Sequence, residues 1–337
     1  MSIEKSPRLL IVRRDNIGDL VCTTPLIHAL RERYPSGWIG VLANSYNAPV
    51  LAGNPDIDEI FVYTKAKHRP PGMSLAGIFW RRFRMMLALR AMTLDEVILA
   101  TPAAQPRGIR LARWLKPKRI VGFGGLPGLD ISLPLATEAT SEVEDIFRIA
   151  RLHGISAPPP PCRVATPSGI AKEPAFTVAI HISARKPSQR WPTERFAALM
   201  RMLTATQAAH FVLLWSPGAK NNPLHPGDDD KATELQDLLG DGFPVEAVRT
   251  ETLPQMIAAL SRCHAMICAD GGAMHIAAGL GLPIICLFGD SSAERWRPWG
   301  VPYRLLQKQS RQVAEISTEE VVAAFNELRG SIPAPAS

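Results

Sequence analysis

Residues 265–292, AMICADGGAMHIAAGLGLPIICLFGDSS, constrain the fold of this chain more than any other stretch. Residues 265–268 form a short apolar run, the pattern of a buried strand. Asp270, Gly271 and Gly272 follow without a spacer, and a helix-forming run begins at Ala273 and stops at Gly279 or Gly281. Leu282-Pro283 reopens an extended segment over residues 284–288. Strand, Gly-rich turn, helix and strand in such short order are the grammar of a parallel α/β sheet. Paired glycines at a helix start let backbone N–H groups converge where the helix dipole is positive, an arrangement suited to a diphosphate. An ordinary tight turn uses glycines in the same way. Asp270 and His275 beside the turn add the polar groups of a site.

The rest of the chain repeats that grammar. Residues 8–13 read as a strand, 14–19 as a polar loop and 20–34 as a helix; strands follow at 38–42 and 59–63. A helix over 78–92, a strand at 96–100, a helix at 108–115, a strand at 119–123 and a helix at 142–153 complete the first half. Residues 158–161 are four consecutive prolines, which enter neither a helix nor a central strand. Residues 156–175 therefore read as a stiff linker between an N-terminal domain (1–155) and a C-terminal one (176–330). The second half restarts with strands at 176–181 and 209–215. Its helices are expected at 193–205, with Thr193 as cap, and at 231–239, 253–261 and 318–329. The expectation is α/β throughout, with two doubly wound, Rossmann-like domains. A chain of 337 residues is long enough for two cores.

No apolar run approaches the length of a membrane span, and the N-terminal residues lack a signal peptide's apolar core, so a cytoplasmic protein is expected. The five cysteines are scattered without a CxxC pair, which argues against a disulfide frame or a zinc site. The net charge of +7 is uneven: residues 65–119 hold 13 Lys/Arg against Asp95 and Glu96, a local +11. Such a field favours nucleic acid, acidic lipid headgroups or a phosphorylated substrate, although a solvated basic face has the same composition. Within it, IFWRRFRMMLALRAM (78–92) places Arg81, Arg82, Arg84 and Arg90 among apolar residues at helical spacing. A basic amphipathic helix of this kind is often a plain surface element. It can also lie on an anionic membrane or grip a phosphorylated lipid.

Ligands of open parallel sheets bind outside the carboxyl ends of the strands. Three loops lie there: 14–19, with the carboxylate of Asp19; 183–190, with Arg185, Lys186 and Arg190; and 270–275, with backbone donors and His275. A carboxylate on one domain and a cationic phosphate cradle on the other suit group transfer from a phosphate-bearing donor. Asp19 would take a proton from an acceptor hydroxyl, and the cations would stabilise the departing diphosphate. Asp19 reads equally well as an N-cap of the helix that starts at Leu20. Protein cations can do the work of stabilising the diphosphate, so no metal is required. No GxxxxGK[ST] motif and no GxGxxG after the first strand is present, against a P-loop NTPase or an NAD-dependent dehydrogenase.

Gly18-Asp19-Leu20-Val21-Cys22-Thr23-Thr24-Pro25 with Ala29-Leu30-Arg31 and Tyr34-Pro35, Trp191-Pro192 with Glu194 and Phe196, and Asp270-Gly271-Gly272-Ala273-Met274-His275 with Leu287-Phe288-Gly289 occur in that order. Together they resemble the signatures of family-nine glycosyltransferases, the ADP-heptose:lipopolysaccharide heptosyltransferases. The resemblance runs from about residue 8 to residue 329. It implies a GT-B fold, two Rossmann-like domains facing across a cleft, and an inverting, metal-independent transfer of heptose from ADP-heptose to the lipopolysaccharide inner core, with no cofactor. By resemblance Asp19 is the base, and Asp270, Gly271, Gly272, Ala273 and His275 hold the donor diphosphate. The basic region, with Arg81, Arg82 and Arg84, then meets an anionic lipopolysaccharide acceptor rather than nucleic acid, at the inner face of the inner membrane. The family's Lys two residues before the Trp-Pro pair is Gln189 here, so Lys186, Arg185 or Arg190 is expected to supply the cation, Lys186 first. Gly271 stands where the family commonly has Ser or Thr. Asp229 is expected at the ribose or adenine. Transfer of another nucleotide sugar, a UDP-sugar epimerase and a non-catalytic nucleotide- or lipid-binding protein are the alternatives.

Overall fold

The computed structural model describes residues 6–64, 74–207, 210–221 and 226–330. The basic loop expected at 65–71 and part of the polar loop 216–230 lie outside them. The chain divides into two compact units, Met1–Val164 and Ala165–Ser337.

The first unit is built on six parallel strands: β1 (Arg8–Val12), β2 (Trp38–Asn44), β3 (Glu59–Tyr63), β4 (Glu96–Leu99), β5 (Arg119–Phe123) and β6 (Ile131–Leu133). Their order is β3-β2-β1-β4-β5-β6. β1 sits centrally, in register with β2 on one side and β4 on the other, and its run Leu9–Val12 is buried on both faces. That double burial is why it reads as continuous aliphatic rather than alternating sequence.

The single helix expected over 20–34 is two. α1 (Ile17–Val21) ends at Cys22 and α2 (Thr24–Arg33) begins with Pro25 in its first turn. Pro25 has no N–H for the carbonyl four residues back and its ring would strike that carbonyl. The hydroxyl of Thr23 donates to the Asp19 carbonyl at 2.8 Å and that of Thr24 to the Val21 carbonyl at 2.6 Å, so side chains take over where the ladder stops. α3 (Leu75–Ala91) and α4 (Pro106–Leu115) follow. The helix expected over 142–153 is α5 (Glu142–Phe147), tightened into a 3-10 stretch at Arg148–His153 and closed by Gly154 at φ 75°.

The second unit has its own six parallel strands: β7 (Thr177–His181), β8 (His210–Trp215), β9 (Val245–Arg249), β10 (Ala265–Ala269), β11 (Ile284–Phe288) and β12 (Tyr303–Gln307), ordered β12-β11-β10-β7-β8-β9. Counted within each unit, both sheets run 3-2-1-4-5-6, although no internal repeat shows in the letters. The helices are α6 (Thr193–Gln207), α7 (Asp229–Leu239), α8 (Leu253–Arg262), α9 (Gly272–Gly279), α10 (Ala293–Trp296) and α11 (Thr318–Arg329). Thr193 is the first residue of α6 rather than a residue before it.

Trp191 anchors the loop that leads into α6. It is buried, packs edge-on against Phe196 at 4.8 Å and donates from Nε1 to the Ile316 carbonyl at 2.8 Å. Burying one indole is worth on the order of 4 kcal/mol before entropy, enough to fix the loop preceding it.

Candidate active site

Each sheet changes direction beside its first strand, between β1 and β4 and between β7 and β10. Adjacent loops part at those points, and they carry the residues singled out from the sequence.

In the first unit the centre is a residue that the sequence did not single out. Arg13 follows the last residue of β1 and is 1% exposed. Its Nη2 donates to Asp19 Oδ1 at 2.7 Å and to Glu142 Oε1 at 2.6 Å, and its Nε lies 3.2 Å from Asp15 Oδ2. Its Nη1 donates to the Ala100 carbonyl after β4. One guanidinium thus meets three carboxylates, one from the loop after β1, one from α1 and one from the start of α5. Burial alone would lower the Arg13 pKa, but Glu142, Asp19 and Asp15 raise it.

Asp19 is not an N-cap. Asn16 occupies that position, and Asp19, in the first turn of α1, accepts the Asn16 N–H on Oδ2 at 2.9 Å. Asp19 is buried, which acts to raise its carboxyl pKa. Arg13 and the Asn16 N–H outweigh burial and hold it below the ordinary Asp range. It is an oriented anion with its charge fixed before any ligand arrives. The surrounding loops are similarly tied: Asn44 Nδ2 donates to the carbonyls of Arg14 and Asp15 at 2.9 and 2.8 Å, and Thr101 Oγ1 to Asp15 Oδ2 at 2.8 Å.

In the second unit β10 ends at Ala269, Asp270 and Gly271 follow, and α9 starts at Gly272 with Ala273 and His275 in its first turns. The His275 ring is buried and meets Trp296 edge-on at 6.0 Å. Gln189, standing where a cation was missed, donates from Nε2 to Asp270 Oδ2 at 2.9 Å and to Ser291 Oγ at 2.8 Å. Lys186 Nζ donates to Asp290 Oδ1 at 3.0 Å. That bond holds the exposed Asp290 carboxyl below its usual range. The loop over 186–190 is thus clasped to 289–291. At Gly289 an added Cβ would lie 2.5 Å from the Ser188 carbonyl oxygen, so the close approach requires glycine.

Arg190 is half-buried, paired with Asp228, and donates to the Ala184 carbonyl at 2.7 Å; Arg185 is exposed. Asp229 opens α7 and is bonded to Trp215 Nε1 at 2.8 Å, the Gly218 N–H at 2.9 Å and Arg249 at 3.0 Å, which draws its carboxyl far down. Lys186, Gln189 and Asp270 therefore share one neighbourhood. Asp229 belongs to a separate network with Arg249.

Two groups at the end of β7, one buried and one half-buried, escaped the sequence reading. Among the described residues His181 Nε2 has no hydrogen-bond partner, and burial with the nearby Lys231 charge pushes its pKa down to about 4. Lys231 Nζ donates to the Ile182 and Trp191 carbonyls at 3.1 and 2.7 Å, and burial lowers its pKa to about 8.

Of the three arginines expected at an acceptor, Arg81 and Arg84 are exposed on α3, whereas Arg82 turns inward and lies 4.2 Å over the Tyr63 ring. Among the described residues no group of three or more His, Cys, Asp or Glu is placed to hold a metal ion.

Residues 161–323 match the family model described as glycosyltransferase family 9 (heptosyltransferase). The chain is 24% identical over 306 residues to lipopolysaccharide heptosyltransferase 3 of Escherichia coli, covering 84% of this chain and 83% of that protein. It is 24% identical over 309 residues to lipooligosaccharide heptosyltransferase 2 of Haemophilus influenzae, covering 86% and 85%. Among solved structures it is similar to the family 9 glycosyl transferase of Veillonella parvula, with a TM-score of 0.81 at 18% identity over 98% of this chain and 99% of that one. It is also similar to E. coli heptosyltransferase WaaC with ADP, with a TM-score of 0.79 at 17% identity over 95% and 99%. The two parallel sheets with flanking helices are those of the GT-B fold expected from the sequence.

Proposed function

We propose that the chain is a glycosyltransferase of family 9, whose model matches residues 161–323, and that it moves a heptose from ADP-heptose to the lipopolysaccharide inner core with inversion. The observation that carries the reading is Asp19: a buried carboxylate kept anionic by Arg13 and aimed by the Asn16 N–H. In this reading an acceptor hydroxyl attacks the anomeric carbon, Asp19 takes its proton, and the diphosphate leaves with the bonding electrons.

The leaving charge falls to the N–H groups that open α9, to His275 and to Lys186, with Arg190 behind the loop. Protein cations carry this charge in place of a metal ion, and turnover is expected to persist in excess chelator. Arg81 and Arg84 face the anionic acceptor, which a lipid presents at the inner face of the inner membrane.

Asp19→Asn tests the assignment. It keeps the shape and the Asn16 contact, so donor affinity is retained while nucleoside diphosphate release falls by about 10²–10⁴-fold. Unchanged turnover would remove Asp19 from the chemistry. A second reading, transfer from another nucleotide sugar, draws on Gln189, a neutral amide engaged with Asp270. Thermal-shift titration with ADP, UDP, GDP and CDP separates the two by which nucleotide stabilises the protein.

A further inference from the structure

Ile78 and Leu89 of α3 are buried in the core of the first unit, with Met85 and Met86 packed against it. The opposite face is not polar. Phe79 is 59% exposed, Trp80 60%, Phe83 48% and Leu87 44%. At about 100° per residue these four side chains share an arc of about 100°, turned away from the packed face. Four large apolar residues clustered on one exposed helix face differ in kind from the single exposed apolar residues common on soluble proteins.

The charge beside this stripe is of one sign. Arg84 borders it and Arg81 lies further round on the same side, both exposed, and no Asp or Glu lies between Ser74 and Leu94. α4 extends the same character: Arg107, Arg110 and Arg113 are exposed, as is Trp114. Arg90 joins the two helices, donating to the Trp114 carbonyl at 2.7 Å and lying 4.9 Å over its ring. Among the described residues no helix is long and apolar enough to cross a membrane. A 17-residue helix with an aromatic stripe edged by arginines has instead the pattern of one that lies in the plane of a bilayer surface. Aromatic rings settle at the headgroup level, and the guanidinium groups reach anionic lipid.

We propose that the outer face of α3 inserts shallowly into an anionic lipid bilayer, with Phe79, Trp80, Phe83 and Leu87 as the inserted groups and Arg81 and Arg84 as the headgroup contacts. This deepens, and rests on, the reading that the acceptor is carried by a lipid. An interface with a second copy would set Arg81 and Arg84 of both copies near one apolar seam, which like-charge repulsion opposes; an anionic surface neutralises them.

The test is co-sedimentation of the full chain with vesicles of phosphatidylcholine alone or with one-quarter phosphatidylglycerol, at low and high salt. Wild type is expected to bind the anionic vesicles at least tenfold more tightly, and salt to weaken that binding. Phe79→Ser/Trp80→Ser/Phe83→Ser is expected to weaken it at least tenfold while the circular dichroism spectrum and thermal midpoint stay those of wild type. Undiminished binding by that variant overturns the proposal. So does a wild-type dimer in sedimentation equilibrium that the three substitutions convert to monomer. Should the triple variant misfold, Trp80→Phe and brominated lipid decide: wild-type tryptophan emission must be quenched more than that of Trp80→Phe. Vesicle binding without nucleotide release on any sugar donor would leave this inference standing and sink the transferase reading of Asp19.

Discussion

Arg13 makes the sharpest prediction. Its Nη2 touches Asp19 at 2.7 Å and Glu142 at 2.6 Å in a site closed to solvent. Arg13→Gln alone would take the guanidinium from beside the buried Glu142 carboxylate, at a cost of about 3–5 kcal/mol. The useful variant is Arg13→Gln/Glu142→Gln, which removes one charge of each sign and keeps two amides able to hydrogen-bond Asp19. Charge centres about 4 Å apart at an effective dielectric of about 20 attract by about 4 kcal/mol. Without Arg13, burial acts on Asp19 opposed only by its Asn16 contacts. The Asp19 pKa therefore climbs from its depressed value.

The sign for stability follows. A depressed carboxyl contributes stability above its unfolded pKa and loses it as pH falls through the folded one. In the double variant that contribution disappears at neutral pH, so the thermal midpoint at pH 7 drops. A loss of a few kcal/mol from a typical 5–15 leaves the protein folded. The assay is nucleoside diphosphate release as kcat/KM against pH. Wild type should keep its activity as pH falls from 7 towards the ordinary Asp range, and the double variant should lose activity at a higher pH than wild type. A folded, active double variant with the acid profile of wild type would refute both Arg13 as the group that sets the proton affinity of Asp19 and Asp19 as the base.

The second unit supplies two more predictions. His181 titrates at about 4 in the folded chain and near 6.5 unfolded, so the unfolded state gains a proton first as pH falls. Its contribution is complete above pH 6.5 and is lost between 6.5 and 4, up to about 3 kcal/mol. His181→Leu should flatten urea-denaturation stability across that window, and an unchanged slope would assign the acid sensitivity to another group. Gly289→Ala would drive a methyl into the Ser188 carbonyl and displace the clasped loop. It should cost about 1–3 kcal/mol in thermal unfolding and raise the donor KM with little change in kcat. A KM unchanged in the presence of that stability loss would detach the loop from donor binding.

The central strands were legible because each is buried on both faces and hence spelled in consecutive aliphatic residues: LLIV in β1, IICLF in β11. β6, β9 and β12 were not read, since each edge strand mixes polar residues into its run, as in VEAVR and YRLLQ. The short α10 was missed for want of a helical period. α1 and α2 were merged because apolar spacing carries across Pro25, while the steric clash that separates them is a backbone property.

At the site, Asp19 and the turn at 270–275 were visible as chemistry next to glycine. Arg13 was read only as the last letter of a strand. What sets it apart is the set of carboxylates around it, and local pattern does not reveal a partner 129 residues away. Gln189 was noticed as an absent cation, whereas the structure shows an amide joining Asp270 to Ser291.

The span of that Arg13–Glu142 contact also orders events in synthesis. Residues 13–19 leave the ribosome well before residue 142, so the guanidinium lacks that buried carboxylate until the chain has grown past it. A nascent or truncated chain ending before α5 can pair β1, β2 and β4, but the environment that fixes the charge of Asp19 is absent from it. In such a chain Arg13 and Asp19 are not held as they are in the folded unit, and the arrangement proposed for the chemistry is completed only by the unit's last helix.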